Sequence, residues 1–123
     1  MIPTEISVHK QSATLELKYQ DGTLYTLTAE YLRVYSPSAE VQGHGPGQSV
    51  LQHGKRDVQF LDLEPQGNYA VKIVFSDGHD SGIFSWEYLY QLGAHHAENW
   101  ADYLQQLEAA GKSRAPQFIA LGN

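Results

Sequence analysis

No cysteine occurs anywhere in the 123 residues. That absence removes disulfides, thiolate nucleophiles, cysteine-ligated zinc and cysteine-ligated iron–sulfur clusters, because each requires sulfur. No apolar run approaches the ~20 residues of a membrane-spanning helix, and Met1-Ile2-Pro3-Thr4-Glu5 lacks the basic and apolar regions of a signal peptide. A cytoplasmic protein with no membrane partner is therefore expected. Basic side chains are also few, 8 Lys+Arg against 14 Asp+Glu for a formal net charge of −6. The positive face that tracks a phosphate backbone is missing, so no nucleic-acid partner is expected. Neither Gly-x-Ser-x-Gly nor a Gly-Lys-Ser/Thr phosphate loop is present, which leaves no signature of a serine hydrolase of that type or of phosphoryl transfer. What remains, 41% hydrophobic and 18% charged residues, is the make-up of one ordinary domain that buries roughly two thirds of its unfolded surface without staples.

The patterning describes a mixed domain. Residues 5–8 and 13–19 read as strands, and in the second Ala13, Leu15, Leu17 and Tyr19 alternate with Thr14, Glu16 and Lys18, so one face is buried and the other wet. Asp21-Gly22 accepts the positive φ of a hairpin turn, after which residues 24–27 resume β character. Thr28 can cap a short helix over residues 29–35, ended by Pro37. Residues 36–54 are dominated by Ser, Pro, Gly, Gln and His around Gly43-His44-Gly45-Pro46-Gly47. No periodic element fits there, and loops of that length are functional or mobile. Residues 58–63 form the next strand, Pro65-Gln66-Gly67-Asn68 a turn, and residues 69–75 a strand in which Tyr69, Val71, Ile73 and Phe75 share a face. That strand is apolar enough on both sides to be central in its sheet. Ile83-Phe84 is a short strand or the entry to a helix capped by Ser85. Trp86, Leu89, Tyr90 and Gly93 share one helical face, as do Trp100, Tyr103, Leu104 and Leu107. Asn99 with Asp102 can cap the second helix, and Gly111 can end it. Trp86 is expected against Val71, Ile73 and Phe75, where removing it would cost on the order of 3–5 kcal/mol. Strands and helices are segregated, which predicts an α+β fold: an antiparallel β-sheet, a short helix after the first hairpin, and C-terminal helices packed on the sheet. Residues 1–111 form the domain and residues 112–123, unpatterned apart from Phe118, Ile119 and Leu121, a flexible tail.

The densest polar cluster is Asp77-Gly78-His79-Asp80-Ser81-Gly82. An imidazole flanked by carboxylates can serve as a general base or a metal ligand. The same residue types also make a turn for conformational reasons alone. His44, His53 and His79 could meet if the long loop folds over the end of the sheet, which would supply the three protein ligands of a catalytic zinc, although their spacing does not demand it. His95-His96 lies near a helix terminus, where the dipole and solvent suffice as partners. His96-Ala97-Glu98 has the His-x-Glu of a non-haem iron triad, but no histidine follows it. Two tryptophans and eight tyrosines on helical faces fit a core better than a base-stacking platform, given the acidic balance.

Glu64-Pro65-Gln66-Gly67-Asn68-Tyr69-Ala70, the block Phe75-Ser76-Asp77-Gly78-His79-Asp80-Ser81-Gly82-Ile83-Phe84-Ser85-Trp86-Glu87-Tyr88-Leu89, and Ala29-Glu30-Tyr31-Leu32-Arg33 resemble the gamma-butyrobetaine hydroxylase N-terminal-like family, long filed as a domain of unknown function. The likeness covers about residues 3–95. In the two-domain hydroxylases of that family the module precedes a 2-oxoglutarate and iron dioxygenase domain, carries a structural zinc, and contributes to dimerisation and to the substrate-side surface. Related copies occur alone in bacteria or fused to iron–sulfur carrier proteins. By this resemblance His79 falls on the zinc histidine, while the stretch that holds three zinc cysteines reads Ser36-Pro37-Ser38-Ala39-Glu40-Val41.

With those three cysteines replaced, the resemblance points to a stand-alone, non-catalytic accessory or protein-interaction module expected to lack a cofactor, monomeric or homodimeric, whose partner is an oxygenase or an iron–sulfur carrier. A metal-binding protein linked to iron–sulfur assembly or oxygenase chemistry is the alternative, with zinc or iron on His79, His44 and His53. A small enzyme using Asp77, His79 and Asp80 as acid and base is the third reading. The candidate partner surface is His44, His53, Asp77, His79 and Asp80, because the loop and the turn hold the family's zinc ligands and so should be neighbours. Without the metal, residues 42–54 are expected to be mobile.

Overall fold

A computed structural model describes residues 1–116; Phe118, Ile119 and Leu121 lie outside the described residues. Strands β1 (Glu5–His9), β2 (Thr14–Lys18) and β3 (Leu24–Thr28) form an antiparallel sheet in that order. Leu15 and Leu17 are fully buried and Tyr19 nearly so, as their alternation requires. Ala13 belongs to the preceding turn rather than to β2, since its φ of 53° is left-handed. The second hairpin closes at Gly22, with φ 91°, where the Asp21 carboxylate accepts from the Thr23 amide at 2.9 Å. β3 passes directly into α1 (Ala29–Val34), because the Thr28 hydroxyl accepts from the Tyr31 amide and ends the strand as a helix cap.

The expected structureless loop contains one element, α2 (Ala39–Gln42), capped by Ser38 and ended by Gly43 at φ 75°. Four residues are too few to carry a helical period, so only the cap could have signalled it. β4 (Phe60–Gln66), β5 (Ala70–Phe75) and β6 (Gly82–Ser85) form a second antiparallel sheet with β5 central. The strands are thus divided between two sheets instead of sharing one. Pro65 and Gln66 belong to β4 and not to the turn, Pro65 pairing with Val71. An edge strand tolerates proline because the missing N–H can face away from the ladder. Tyr69 is 62% exposed and sits in the turn, so Val71, Ile73 and Phe75 alone carry the buried face.

Ser85 ends β6 and caps α3 (Trp86–Ala94) through the Tyr88 amide. Helix α4 (His96–Ala110) is capped at His95, four residues before Asn99, and Asn99 instead donates from within the helix to the Tyr31 hydroxyl at 3.0 Å. Gly111 ends α4 in the left-handed conformation as expected. Trp86 is only partly buried; its indole donates to the Asn68 carbonyl at 2.9 Å. The fully buried aromatics are Tyr31, Phe75 and Phe84. Leu104 is exposed while Tyr103 and Leu107 pack on Val34.

One cluster joins both sheets, running from Leu15, Leu17 and Leu27 through Tyr31 and Leu32 to Val71, Ile73, Phe75, Phe84 and Leu89. Helix α1 lies inside it with all six residues buried, Glu30 and Arg33 included. A helix buried all round must satisfy its charges from elsewhere. Glu30 accepts two hydrogen bonds from Arg114, at 2.8 and 2.6 Å. The Arg114 guanidinium also stacks 5.0 Å from the Trp100 ring, while the Gly54 and Arg56 amides donate to the Ser113 and Arg114 carbonyls.

Helix α3 reaches the first sheet at Gly93, where a Cβ would lie 2.3 Å from the Tyr25 ring. The Tyr25 ring is packed edge-on against Tyr19 and Tyr90, so the ring or the helix has to shift to relieve that overlap. Gly93→Ala is expected to lose about 1–3 kcal/mol by overpacking, measured as a lower urea midpoint at unchanged slope.

Candidate functional site

The turn between β5 and β6 bends at Gly78, with φ 90°. The Phe75 amide donates to the His79 carbonyl at 2.9 Å, and the Asp77 carboxylate accepts from the His79 amide at 3.2 Å. This is the turn chemistry the sequence suggested, and it turns the His79 ring inward. His79 is 5% exposed.

Its imidazole is held at both nitrogens. Nδ1 lies 3.2 Å from Glu40 Oε2 and Nε2 lies 2.8 Å from Ser36 Oγ. A carboxylate only accepts, so Nδ1 carries the proton; in the neutral ring Nε2 then accepts and the Ser36 hydroxyl donates. Ser36 Oγ in turn accepts from the Ser38 amide at 3.3 Å. The other Glu40 oxygen accepts from the Ser81 hydroxyl at 3.1 Å. The Ser81 oxygen is therefore left to accept from the Ser38 hydroxyl, 2.7 Å away. Every side-chain proton in the ring has one direction. Burial together with the nearby Arg33 guanidinium lowers the His79 pKa despite Glu40 and Asp77, so the ring is neutral at pH 7.

Ser–His–Glu connectivity of this kind is also that of a nucleophilic triad. Here it is closed, since Ser36 has no exposed surface, and the Gly82 backbone lies so near that a Cβ there would stand 2.4 Å from Ser36 Oγ. No acyl group can reach the hydroxyl without rebuilding the turn.

Beside the ring, Asp77 Oδ2 accepts from Arg33 Nε at 2.9 Å and from Lys55 Nζ at 2.6 Å. Arg33 Nη1 is buried with no hydrogen-bond partner among the described residues. Burial alone would raise the Asp77 pKa, but the Lys55 and Arg33 cations outweigh it and hold the carboxyl down at about 2.

The structure thus brings the 36–40 segment against the 77–81 turn, as the likeness implied they should be. It does not gather the candidate ligands. His44 is exposed, its amide bonded to the Gln48 side chain at 3.3 Å. His53 is half-buried, and Asp80 is exposed. Among the described residues, no group of three His, Asp or Glu side chains is placed to hold a metal ion. The loop after α2 is tied at several points. The Val50 amide donates to Val41 at 2.7 Å, and the Tyr103 hydroxyl donates to the Gln52 carbonyl at 2.8 Å. His96 is not in solvent alone, for its ring packs edge-on 4.5 Å from Tyr31. Sequence reasoning did not assign Arg33, Ser36, Glu40, Lys55 or Ser81 as partners of Asp77 and His79. The alternation Ser36-x-Ser38-x-Glu40 was the available signal for two of them, but nothing local marks Lys55 as a partner of Asp77.

The family model for gamma-butyrobetaine hydroxylase-like, N-terminal, matches residues 6–90. The chain belongs to this family. An NMR solution structure of one protein resembles it at 52% identity and TM-score 0.82, over 99% of this chain and 96% of that one. A second NMR structure does so at 43% identity and TM-score 0.79, over 99% and 91%. A 1.93 Å crystal structure of a protein of unknown function from Acidithiobacillus ferrooxidans, in the DUF971 family, matches 75% of this chain and 92% of its own at 39% identity and TM-score 0.59. No curated protein matches.

Asp77 gives the site a pH signature. Its folded value of about 2 lies below the ordinary 3.8, so its contribution is complete above pH ~4 and is lost as pH falls from there toward 2. After discounting for solvent screening this amounts to about 1–2 kcal/mol. Urea titrations of Asp77→Asn and the parent are expected to differ by that amount at pH 6 and to converge near pH 2.

Proposed function

We propose that the protein is a non-catalytic accessory module that works by binding another protein. The observation that carries this reading is the sealed state of its one triad-like arrangement: Ser36 is 0% exposed and its hydroxyl proton is committed to His79. A nucleophile must meet its substrate, and this one meets the Gly82 backbone. The third reading, a small enzyme using Asp77, His79 and Asp80 as acid and base, is opposed by the geometry at the first two of these residues. Asp77 is committed to Arg33 and Lys55, and His79 has no lone pair free.

Elsewhere the surface offers contact rather than chemistry. Met1, Ile2 and Tyr69 are 47%, 67% and 62% exposed, and with Trp86 they line one shallow concavity. Clustered apolar side chains on a soluble surface mark interaction sites more often than scattered ones do. An oxygenase or an iron–sulfur carrier is the partner class that family membership suggests. The cytoplasm fits both.

The experiment is labelling with a fluorophosphonate probe together with an activated-ester assay at pH 7–8. No adduct and no hydrolysis above buffer are expected. A stoichiometric adduct on Ser36, lost in His79→Ala, would make the protein a hydrolase and end the accessory reading.

A further inference from the structure

The residues around His79 do not suit the zinc that the family resemblance implies. Where three sulfurs are needed, Ser36 and Ser38 offer hydroxyls, which are poor zinc ligands, and Val41 offers none while lying buried at 3% exposure. The two donors that could serve are already occupied. His79 spends its Nε2 lone pair on the Ser36 proton and directs its Nδ1 proton to Glu40, and Glu40 uses both oxygens, one for His79 and one for Ser81. A metal would have to break the buried Ser36 bond to gain a single nitrogen. The Gly82 backbone, packed on Ser36 Oγ, fills the space beside it.

We infer that hydrogen bonds stand in for the metal in this protein: Ser36, Ser38, Glu40, His79 and Ser81 close a metal-free clasp that fastens the 36–42 segment to the β5–β6 turn. Three features support it. The network is cyclic and each side-chain proton in it has one direction, so no member is left unsatisfied. Further hydrogen bonds extend it on both sides, from the Glu40 backbone amide to Ser38 Oγ at 3.2 Å and from the Gln42 side-chain amide to the Ser36 carbonyl at 3.0 Å. Its most costly element to lose is the buried one, since Ser36 and the His79 ring have almost no access to water to replace their bond. Glu40, whose side chain is 69% exposed, steers the ring tautomer more than it holds the fold.

The test is a pair of measurements on the full chain. Thermal unfolding is followed by circular dichroism after dialysis against EDTA, after addition of zinc, and without either; bound metal is quantified by plasma mass spectrometry. Melting temperatures equal within a degree and less than a tenth of an equivalent of metal are expected. Ser36→Ala, which strands the His79 Nε2 acceptor, is expected to melt about 5–10 °C lower in all three conditions. Should Ser36→Ala fail to fold, the rim variant Ser81→Ala, which leaves the buried bond intact, is expected to melt a few degrees lower with the same indifference to zinc. One equivalent of zinc that raises the melting temperature and is lost in His79→Ala would overturn the inference. So would wild-type melting temperatures in both serine variants.

Discussion

A single buried imidazole, held at one nitrogen by a sealed serine and at the other by a surface carboxylate, is the joint on which the polar half of this structure turns. His79 comes from the turn of the second sheet, Ser36 from the residues just past α1, and Glu40 from α2. The fastening fixes the turn beneath the end of α1, and from there Asp77 reaches Arg33 and Lys55. The two ends of the joint carry unequal weight. An exposed carboxylate pairing contributes little against water and salt, whereas a buried nitrogen left without its donor costs on the order of 1–3 kcal/mol. Stability therefore rests on the serine and orientation on the glutamate.

Helix α1 explains why the joint sits where it does. Its six residues are buried between the sheets and α4, so its two charges have to be met by groups brought from far along the chain. Arg114 meets Glu30 and Asp77 meets Arg33. Leaving one member of such a pair alone in the interior is costly, which makes each distant partner part of the fold and not an ornament of the surface. The apolar core joins the sheets, and these two ion pairs decide which loops may lie across the ends of α1.

Much of this was legible in the sequence because short-range physics wrote it there. The alternation at Leu15, Leu17 and Tyr19, the Asp-Gly turns, the Thr28 and Ser85 caps and the Gly111 terminus each depend on neighbours in sequence, and each stands as read. The failures are of another kind. Trp86 has the right helical spacing for burial, but it lies at the end of the helix, where the core runs out. Asn99 has a capping residue's chemistry and spends it on Tyr31 across the core. Pro65 reads as a turn residue because nothing in the sequence says that β4 is an edge. At the site, family likeness brought the 36–41 stretch to His79, yet it framed those serines as missing ligands. That Ser36 and Glu40 bracket the imidazole is a tertiary fact, visible only once α2 and the turn are folded together.

The direction of the protons in the joint is the central claim, and the His79 ring reports it. Two-bond nitrogen–proton correlation NMR of the metal-free protein at pH 7, with His79 assigned by comparison with His79→Gln, distinguishes the tautomers by their ring nitrogen shifts. The account predicts a neutral ring protonated at Nδ1, with Nε2 at the shift of an acceptor nitrogen. A ring protonated at Nε2, a charged ring, or rapid exchange between tautomers would contradict it.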